Sequence, residues 1–251
     1  MLAYALALAI WAQAQAQDDA GSVADFYTNF AESRNGIRML EAVFVQTTVT
    51  PDEVLVSEGR IVYVRPKRLI FRYDEPKLVY MIDMLRAYEY DPELEQLQIF
   101  DLEDRPESEA FYLGFDNNAR RLQEAYTVRL LPPKDPELYQ FALEFVPKEN
   151  EEDEAYFEKI TLQLRKGDFL PGEIYIKNDA ESHVEFKVSD FKLNGEPDPA
   201  KTQIHLPEGT VIVDNDVYAG TVGEDGLSLP RSGEEAARVE SESLSEDPVQ
   251  P

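Results

Sequence analysis

Apolar and polar residues alternate through the central stretch of the chain, residues 59–83, with the period of two that is typical of a strand with one buried face. In the first run of this stretch, Ile61 and Tyr63 share a face with Arg65, so an arginine stands at the end of an apolar row. Proline-containing turns interrupt the alternation twice. The stretch therefore predicts a meander of short strands with one apolar side.

The second run of this stretch has one face that is wholly apolar or aromatic. Leu69, Phe71 and Tyr73 occupy that face, whereas Arg68 and Arg72 point to the other side. This separation predicts a strand whose aromatic side is turned toward the interior of a sheet.

The same period continues along most of the chain and predicts about eleven strands joined by short, turn-like connections. Such spacing is typical of an antiparallel sheet in up-and-down order. Because strands twist, a sheet of this size curls, and we expect an open or closed barrel. The predicted strands lie near residues 38–49, 54–64, 68–74, 77–83, 86–91, 95–101, 125–132, 138–147, 156–165, 171–177 and 183–192.

Two segments break the strand pattern and favour helices. Residues 21–35 carry an apolar stripe at helical spacing, and an Asn-Gly pair ends the pattern. Residues 104–123 predict a small helical insert after the sixth strand, in which Phe111, Tyr112, Leu113 and Phe115 make a short, very apolar helix. Both segments are too short for a separate domain, so we expect them to cover the mouth of the barrel. The stripe of the first segment consists of Val23, Phe26, Tyr27 and Phe30.

The two ends of the chain differ in composition from the part between them. Residues 1–16 are apolar and Ala-rich, and they finish in a small-x-small pattern that predicts a secretory signal peptide cut after Ala16. An uncleaved anchor or a buried helix is the alternative. Residues 219–251 are rich in Gly, Ser, Glu and Pro, so we expect a disordered acidic tail. One β-rich domain, residues 20–215, is expected between them.

Composition excludes several classes of function. The 251 residues, 43% of them hydrophobic, suffice for one substantial core. The formal net charge of −26 argues against binding to nucleic acid or to an anionic membrane through bulk electrostatics. The absence of Cys excludes disulfides, thiolate chemistry and lipidation at an N-terminal Cys.

Candidate catalytic and metal-ligating residues are few. His183 and His205 are the only histidines, and neither has a second His or Cys at metal-ligand spacing. The sequence contains no nucleophile elbow, dinucleotide-binding or Walker motif. The acidic loop 148–158 lacks EF-hand spacing, which favours a solvated hairpin tip over a calcium site. We therefore expect a binding protein that is not an enzyme and needs no cofactor.

A wide barrel leaves a cavity unless its own side chains fill it. An apolar cavity beneath a short helical cover would accept acyl chains or another lipid. The sequence does not distinguish a ligand-binding wall from a filled core, so both readings stay open for the candidate contacts. These contacts are Phe26, Tyr27, Phe30, Leu69, Phe71, Tyr73, Phe111 and Leu113.

The order of elements and several motifs resemble the family of the periplasmic lipoprotein carrier LolA. The resemblance covers roughly residues 20–215, and the motifs are more specific together than singly. The residues that carry it are Phe44-Val45-Gln46, Gly59 with Tyr63-Val64-Arg65-Pro66, Phe71-Arg72-Tyr73 with Pro76, Tyr90-Asp91-Pro92-Glu93-Leu94-Glu95-Gln96, and Leu206-Pro207-Glu208-Gly209-Thr210.

The resemblance implies a mainly β fold with a few helices, namely an unclosed antiparallel β-barrel of about eleven strands with an α-helical lid. It also implies that the protein accepts the acyl chains of lipoproteins from an inner-membrane ABC transporter, crosses the periplasm of a Gram-negative cell and delivers them to an outer-membrane receptor. In that family an arginine of the Arg-Pro segment bonds the lid backbone in the closed form and helps to control release. Arg65 matches that position, and the alternative is a strand-end arginine with a solvated head.

Two other functions remain open at this point. The same scaffold serves relatives that sense a mislocalised lipoprotein and pass the signal to a membrane partner, so a regulatory lipid-sensing module is the main alternative. An acidic structural β-domain without a ligand is the other. We expect a monomer, and its acidity implies that protein partners present basic surfaces.

Overall fold

The computed structural model describes residues 30–83, 85–102, 112, 126–148 and 157–230. Residues 30–35 are helical and are called α1 here, and a second short helix, α2, is Pro199–Thr202. The strands are β1 Met39–Val49, β2 Val54–Val64, β3 Arg68–Tyr73, β4 Val79–Asp83, β5 Arg86–Asp91, β6 Gln96–Asp101, β7 Tyr126–Leu131, β8 Tyr139–Pro147, β9 Lys159–Arg165, β10 Pro171–Lys177, β11 His183–Leu193, β12 Ile204–Leu206, β13 Val211–Asp214, β14 Val217–Thr221 and β15 Leu227–Leu229.

One 13-stranded sheet dominates the fold, in the order β14-β13-β6-β5-β4-β3-β2-β1-β11-β10-β9-β8-β7. It consists of two antiparallel meanders, β1–β6 and β7–β11, which join where β1 pairs with β11. Strand β13 extends the sheet by pairing in parallel with β6. Within the described ranges, β7 and β14 are not paired to each other, so the sheet stays unclosed. The mainly β, unclosed barrel fold is thus confirmed.

All eleven strands expected from the alternation are present. Each one overlaps the expected range and differs at its ends by a few residues at most. The up-and-down order holds inside each meander, but the chain passes from β6 to the opposite edge of the sheet before β7 begins. This crossing places β1 and β11 side by side, although they are far apart in sequence.

One face of the sheet, called the inner face here, carries a continuous apolar surface across both meanders. Leu40 of β1 lies opposite Tyr63, which lies opposite Leu69 on the next strand, and all three side chains are fully buried. In the second meander Leu162 lies opposite Ile174. Ile174 packs against apolar residues of both halves, so the inner face forms one surface rather than two.

The other face, called the outer face, is buried over the first meander by the C-terminal part of the chain. Ile70 of β3 is fully buried there, opposite Val62 and Met81 on its neighbouring strands. Ile204 and Leu206 of β12 pack against this surface together with residues of β15. Strand β3 is therefore buried on both sides, which explains why Leu69, Ile70 and Phe71 follow one another without a polar residue.

The expectation that residues from 219 onward lack structure is wrong for residues 219–230. Strand β14 continues to Thr221, and β15 pairs with β12 in a two-stranded sheet that covers the outer face. Val222 and Leu229 are buried in this packing, so few apolar residues suffice to order the segment. The domain thus extends past residue 215. Residues 1–29 and 231–251, which include the expected signal peptide and the rest of the acidic tail, lie outside the described residues.

Gly59 permits a close approach between β2, β3 and an aromatic ring of the inner face. A Cβ at this position would lie 2.2 Å from the carbonyl oxygen of Arg72 and 2.8 Å from the ring of Phe44. Gly59→Ala is therefore expected to lower the free energy of unfolding by about 2 kcal/mol, as overpacking of a core does. Urea denaturation measures the loss. Gly36→Ala, where the added Cβ meets nothing within 4 Å, is the matched control, and equal stability of both variants would contradict the close approach.

Candidate functional site

Four aromatic rings from three strands meet on the inner face. The ring of Phe44 on β1 lies 5.8 Å from that of Phe71, 5.0 Å from that of Tyr73 and 5.9 Å from that of Phe186 on β11. The first two contacts are edge-to-face, which is a favourable arrangement of aromatic rings. Phe44 is fully buried, whereas the other three are only partly buried. The cluster therefore has a closed floor and a surface on which an apolar ligand could lie.

The polar groups beside this cluster are hydrogen-bonded to each other. The Tyr73 hydroxyl donates to Gln46 Oε1 at 2.6 Å, and Gln46 Nε2 donates to Thr48 Oγ1 at 2.9 Å. Burial raises the pKa of Tyr73, and burial together with Glu89 raises the pKa of Tyr80 to about 12. Both tyrosines therefore stay protonated near neutral pH. The carboxyl group of Glu89, which pairs with Tyr80 on the same face and is hydrogen-bonded to it, lies at the border of the cluster.

The turn between β2 and β3 holds helix α1. Arg65 lies in this turn, and its guanidinium donates to the carbonyl oxygens of Arg34 at 3.0 Å and Asn35 at 3.2 Å. These carbonyl groups lie at the C-terminal end of the helix, where they accept no hydrogen bond from a later turn of the same helix. A positive charge is favourable at this end of a helix. The observed contact joins Arg65 to the backbone of α1.

The same turn also holds the one described residue of the helical insert, Tyr112. Its hydroxyl donates to the carbonyl oxygen of Lys67 at 3.1 Å, and Lys67 Nζ lies 5.2 Å from the centre of its ring. Tyr112 is buried and packs in the apolar cluster that contains Leu69. The β2–β3 turn thus contacts both segments that the sequence predicted to be helical.

Arg34 fastens α1 to the other meander. Its side chain is fully buried, and it donates to the carbonyl oxygens of Asp168 at 3.0 Å and Phe169 at 2.5 Å in the turn between β9 and β10. The guanidinium also lies 4.6 Å from the centre of the Phe30 ring. Burial lowers the pKa of Arg34 to about 10, although Asp168 opposes that shift. The cation remains charged at neutral pH.

Asn194, which follows β11, completes the attachment of the segment after α1. Its side chain accepts a hydrogen bond from the Arg38 amide at 2.7 Å and donates to the Gly36 carbonyl oxygen at 2.8 Å. Helix α1 and the residues after it are therefore held from β2–β3, from β9–β10 and from the end of β11. Within the described residues, these polar bonds and the packing of Phe30 on the second meander connect α1 to both halves of the sheet.

The structure brings part of the expected site together. Leu69, Phe71 and Tyr73 lie on the inner face as expected, Leu69 as fully buried core and the other two partly buried. Phe30 is buried on the second meander, near Leu143, and so is separate from the aromatic cluster. Phe26, Tyr27, Phe111 and Leu113 lie outside the described residues. Their assignment as ligand contacts stays a prediction.

Sequence reasoning missed three residues of this site. Phe186 stands in an alternating strand with Val184 and Val188, a signal that marks its face but not its neighbours. Phe44 was noticed only as part of a motif. Arg34 was not singled out, because an arginine near the end of a predicted helix is ordinarily a solvated residue. Its burial depends on a turn 134 residues away along the chain.

Neither histidine belongs to this site. His183 faces outward with its ring centre 5.1 Å from that of Tyr175, and His205 Nδ1 lies 3.3 Å from Ser228 Oγ. In the described part of the chain, no group of three or more His, Asp or Glu side chains is placed to hold a metal ion. None of the helices described has the length and apolar character needed to cross a bilayer.

An unclosed, largely antiparallel β-barrel with an apolar inner face and a short helix bonded to its turns defines the class of fold, and comparison with known families identifies the family. The model of the family described as outer membrane lipoprotein carrier protein LolA matches residues 35–205. This match spans more than half of the chain, so the protein belongs to the LolA family, as the motifs predicted. No curated protein matches the chain in sequence.

Several solved structures are similar to the chain. A conserved protein from Thermus thermophilus is 13% identical, covers 77% of this chain and 99% of its own, and has a TM-score of 0.48. A putative outer membrane lipoprotein-sorting protein domain from Vibrio parahaemolyticus is 12% identical over 71% of this chain and 94% of its own, with a TM-score of 0.45. The complex of Pseudomonas aeruginosa MucA and MucB matches at 14% identity over 71% of this chain and 59% of the other, with a TM-score of 0.39.

Proposed function

We propose that this protein is a periplasmic carrier that binds the acyl chains of lipoproteins on its inner face and transfers them from the inner to the outer membrane. The observation that supports this most directly is the partly exposed aromatic cluster of Phe71, Tyr73 and Phe186 on a Phe44 floor. A largely aromatic surface of this kind suits hydrocarbon chains. Membership in the LolA family supports the same kind of role.

The physics of the cargo explains why such a carrier is needed. Burying each CH₂ is worth about 0.8 kcal/mol, so a diacyl or triacyl anchor gains tens of kcal/mol by leaving water. An anchor of this kind does not cross an aqueous compartment unaided. The carrier must therefore shield the chains and still release them, which favours a cover that is held by a few polar bonds and can open.

We further propose Arg65 as the residue that controls the cover. Its two bonds to α1 carbonyls stabilise the closed arrangement, in which α1 lies against the β2–β3 turn. Cargo that displaces α1 would break these bonds, and their re-formation would favour release. In this scheme the carrier accepts cargo from an inner-membrane ABC transporter and delivers it to an outer-membrane receptor, both with basic contact surfaces that complement its charge of −26.

The direct test is binding of a fluorescent fatty acid to the purified protein. Phe71→Asp places a charge on the inner face and is expected to weaken binding roughly tenfold, which corresponds to about 1.4 kcal/mol. Tyr175→Asp, an equivalent change at a partly buried aromatic residue of the outer face, is the control and should bind like the parent. A thermal melt of both variants checks that they are folded. No uptake by the parent protein would refute lipid binding.

Depletion in the cell separates transport from sensing. Loss of a carrier leaves lipoproteins in the inner membrane, where fractionation detects them. A changed stress response with normally sorted lipoproteins would instead favour the lipid-sensing module.

A further inference from the structure

The hairpin formed by β1 and β2 extends beyond the strand next to it. Strand β2 pairs with β1 along its whole length, from Val54 to Val64, but its pairing with β3 begins only at Gly59. The side chains of Val54, Leu55 and Val56 are 62%, 51% and 62% exposed. Three consecutive exposed aliphatic residues on a strand are unusual for a protein surface that has no partner.

The backbone of this part of β2 also points into solvent. The Glu58 carbonyl oxygen accepts a hydrogen bond from the Asp74 amide, on the side away from β1. Because N–H and C=O groups alternate in direction along an antiparallel strand, those of Val54 and Val56 point to this same side. No described residue bonds to them, since β3 has already turned away. The segment Val54–Ser57, called the hairpin edge here, is thus an unpaired strand edge with exposed apolar side chains.

Acidic residues outnumber basic residues around the hairpin edge. Asp52 and Glu53 precede it, Glu58 follows it, and Asp74 with Glu75 lies in the adjoining turn; all five are exposed. Lys77 and Arg60 are the exposed basic residues in the same two segments, residues 51–60 and 74–77. A segment that added to this edge would therefore gain from carrying Lys or Arg.

We propose that the hairpin edge binds an extended basic segment of a partner protein, which adds to β2 as a further strand. Strand addition satisfies the N–H and C=O groups of Val54 and Val56, and apolar side chains at alternate positions of the partner cover the exposed valines. A second copy of this chain would bring the same carboxylates face to face, and an anionic membrane would be repelled by them. Charge complementarity thus selects a basic protein segment over both.

Amide hydrogen exchange tests this proposal without any lipid, so its outcome is independent of the carrier function. The Val54 and Val56 amides should exchange fast in the protein alone, whereas the Leu55 and Ser57 amides, which bond to β1, should be protected. A short peptide that alternates valine and lysine should slow exchange at Val54 and Val56 by roughly tenfold. The same peptide with glutamate in place of lysine, or methylated on alternate backbone nitrogens, should have no effect.

Two variants of Val56 distinguish binding through the backbone of the hairpin edge from binding through the Val56 side chain. Val56→Pro removes an N–H that makes no bond within the described residues and blocks strand addition, so peptide binding should disappear with the hairpin intact. Val56→Thr keeps the N–H and should still bind. Thermal melts of both variants confirm folding, and if Val56→Pro is unfolded, the methylated peptide tests the edge in the parent protein.

Four results would overturn the proposal. These are no protection by the lysine peptide, equal protection by the glutamate peptide, protection that rises with protein concentration in the absence of peptide, and protection of these amides by anionic lipid vesicles. The third would identify a second copy as the occupant, and the fourth a membrane surface.

Discussion

Replacing Arg65 with leucine is expected to leave the fold intact and to slow the release of a bound lipid anchor by roughly 10- to 100-fold, since hydrogen bonds from a charged donor contribute about 1.5–3 kcal/mol. Arg65 makes two such bonds to the carbonyl oxygens of Arg34 and Asn35. The measurement is the transfer of a fluorescent acyl ligand from preloaded protein to acceptor vesicles.

The direction of this effect follows from which state the bonds stabilise. They exist with α1 against the β2–β3 turn, so they lower the free energy of the closed arrangement and leave that of an opened, loaded one unchanged. Removing them shifts the balance toward the loaded state. Arg65→Leu should therefore retain ligand more tightly as well as release it more slowly.

Arg60→Leu is the matched control, because Arg60 is an exposed arginine on β2, the strand that leads into the Arg65 turn, and faces outward. It should release ligand like the parent. Equal release by the Arg65 variant and the parent would mean that Arg65 is a strand-end arginine without a role in the cover.

Replacing Arg34 with methionine is expected to lower the free energy of unfolding by about 3 kcal/mol, because two partly buried carbonyl groups lose their donors at about 1–3 kcal/mol each. Those carbonyls belong to Asp168 and Phe169 in the β9–β10 turn. Methionine fills much of the volume but donates nothing. Urea denaturation gives the change in stability, and hydrogen exchange in residues 30–35 shows whether α1 loosens.

Part of this loss is offset, because burying a guanidinium is itself unfavourable. The pKa of Arg34 is lowered to about 10 by burial, and its Nε has no hydrogen-bond partner among the described residues. Arg34→Lys should therefore fail to restore stability, since a single ammonium group does not reproduce the planar fork that reaches both carbonyls. Arg38→Met, at an exposed arginine nearby, is the control. A methionine variant as stable as the parent would mean that the buried charge costs as much as its bonds contribute.

The aromatic cluster shows which features of the site the local sequence pattern predicts and which it does not. The alternation in residues 183–188 was enough to predict a strand and to put Phe186 on one of its faces. It carried no information that this face lies beside Phe44 and Phe71, because the pairing of β1 with β11 joins residues more than a hundred positions apart. Likewise, the alternation predicted that Leu69, Phe71 and Tyr73 lie on the opposite face from Arg72. It did not predict that Arg72 donates a hydrogen bond to the Gln203 carbonyl oxygen.

The sequence predicted the positions of the strands, the end of α1 at Asn35 and an arginine at the end of an apolar row in the Arg-Pro turn. Each of these depends on neighbours only a few residues away along the chain. Only the tertiary structure showed that Arg34 is buried, that residues 219–230 are ordered and that β2 at Val54 has no second neighbouring strand among the described residues. Each of these depends on which distant segments pack together, and the free energy of such contacts comes from surfaces that no local pattern records.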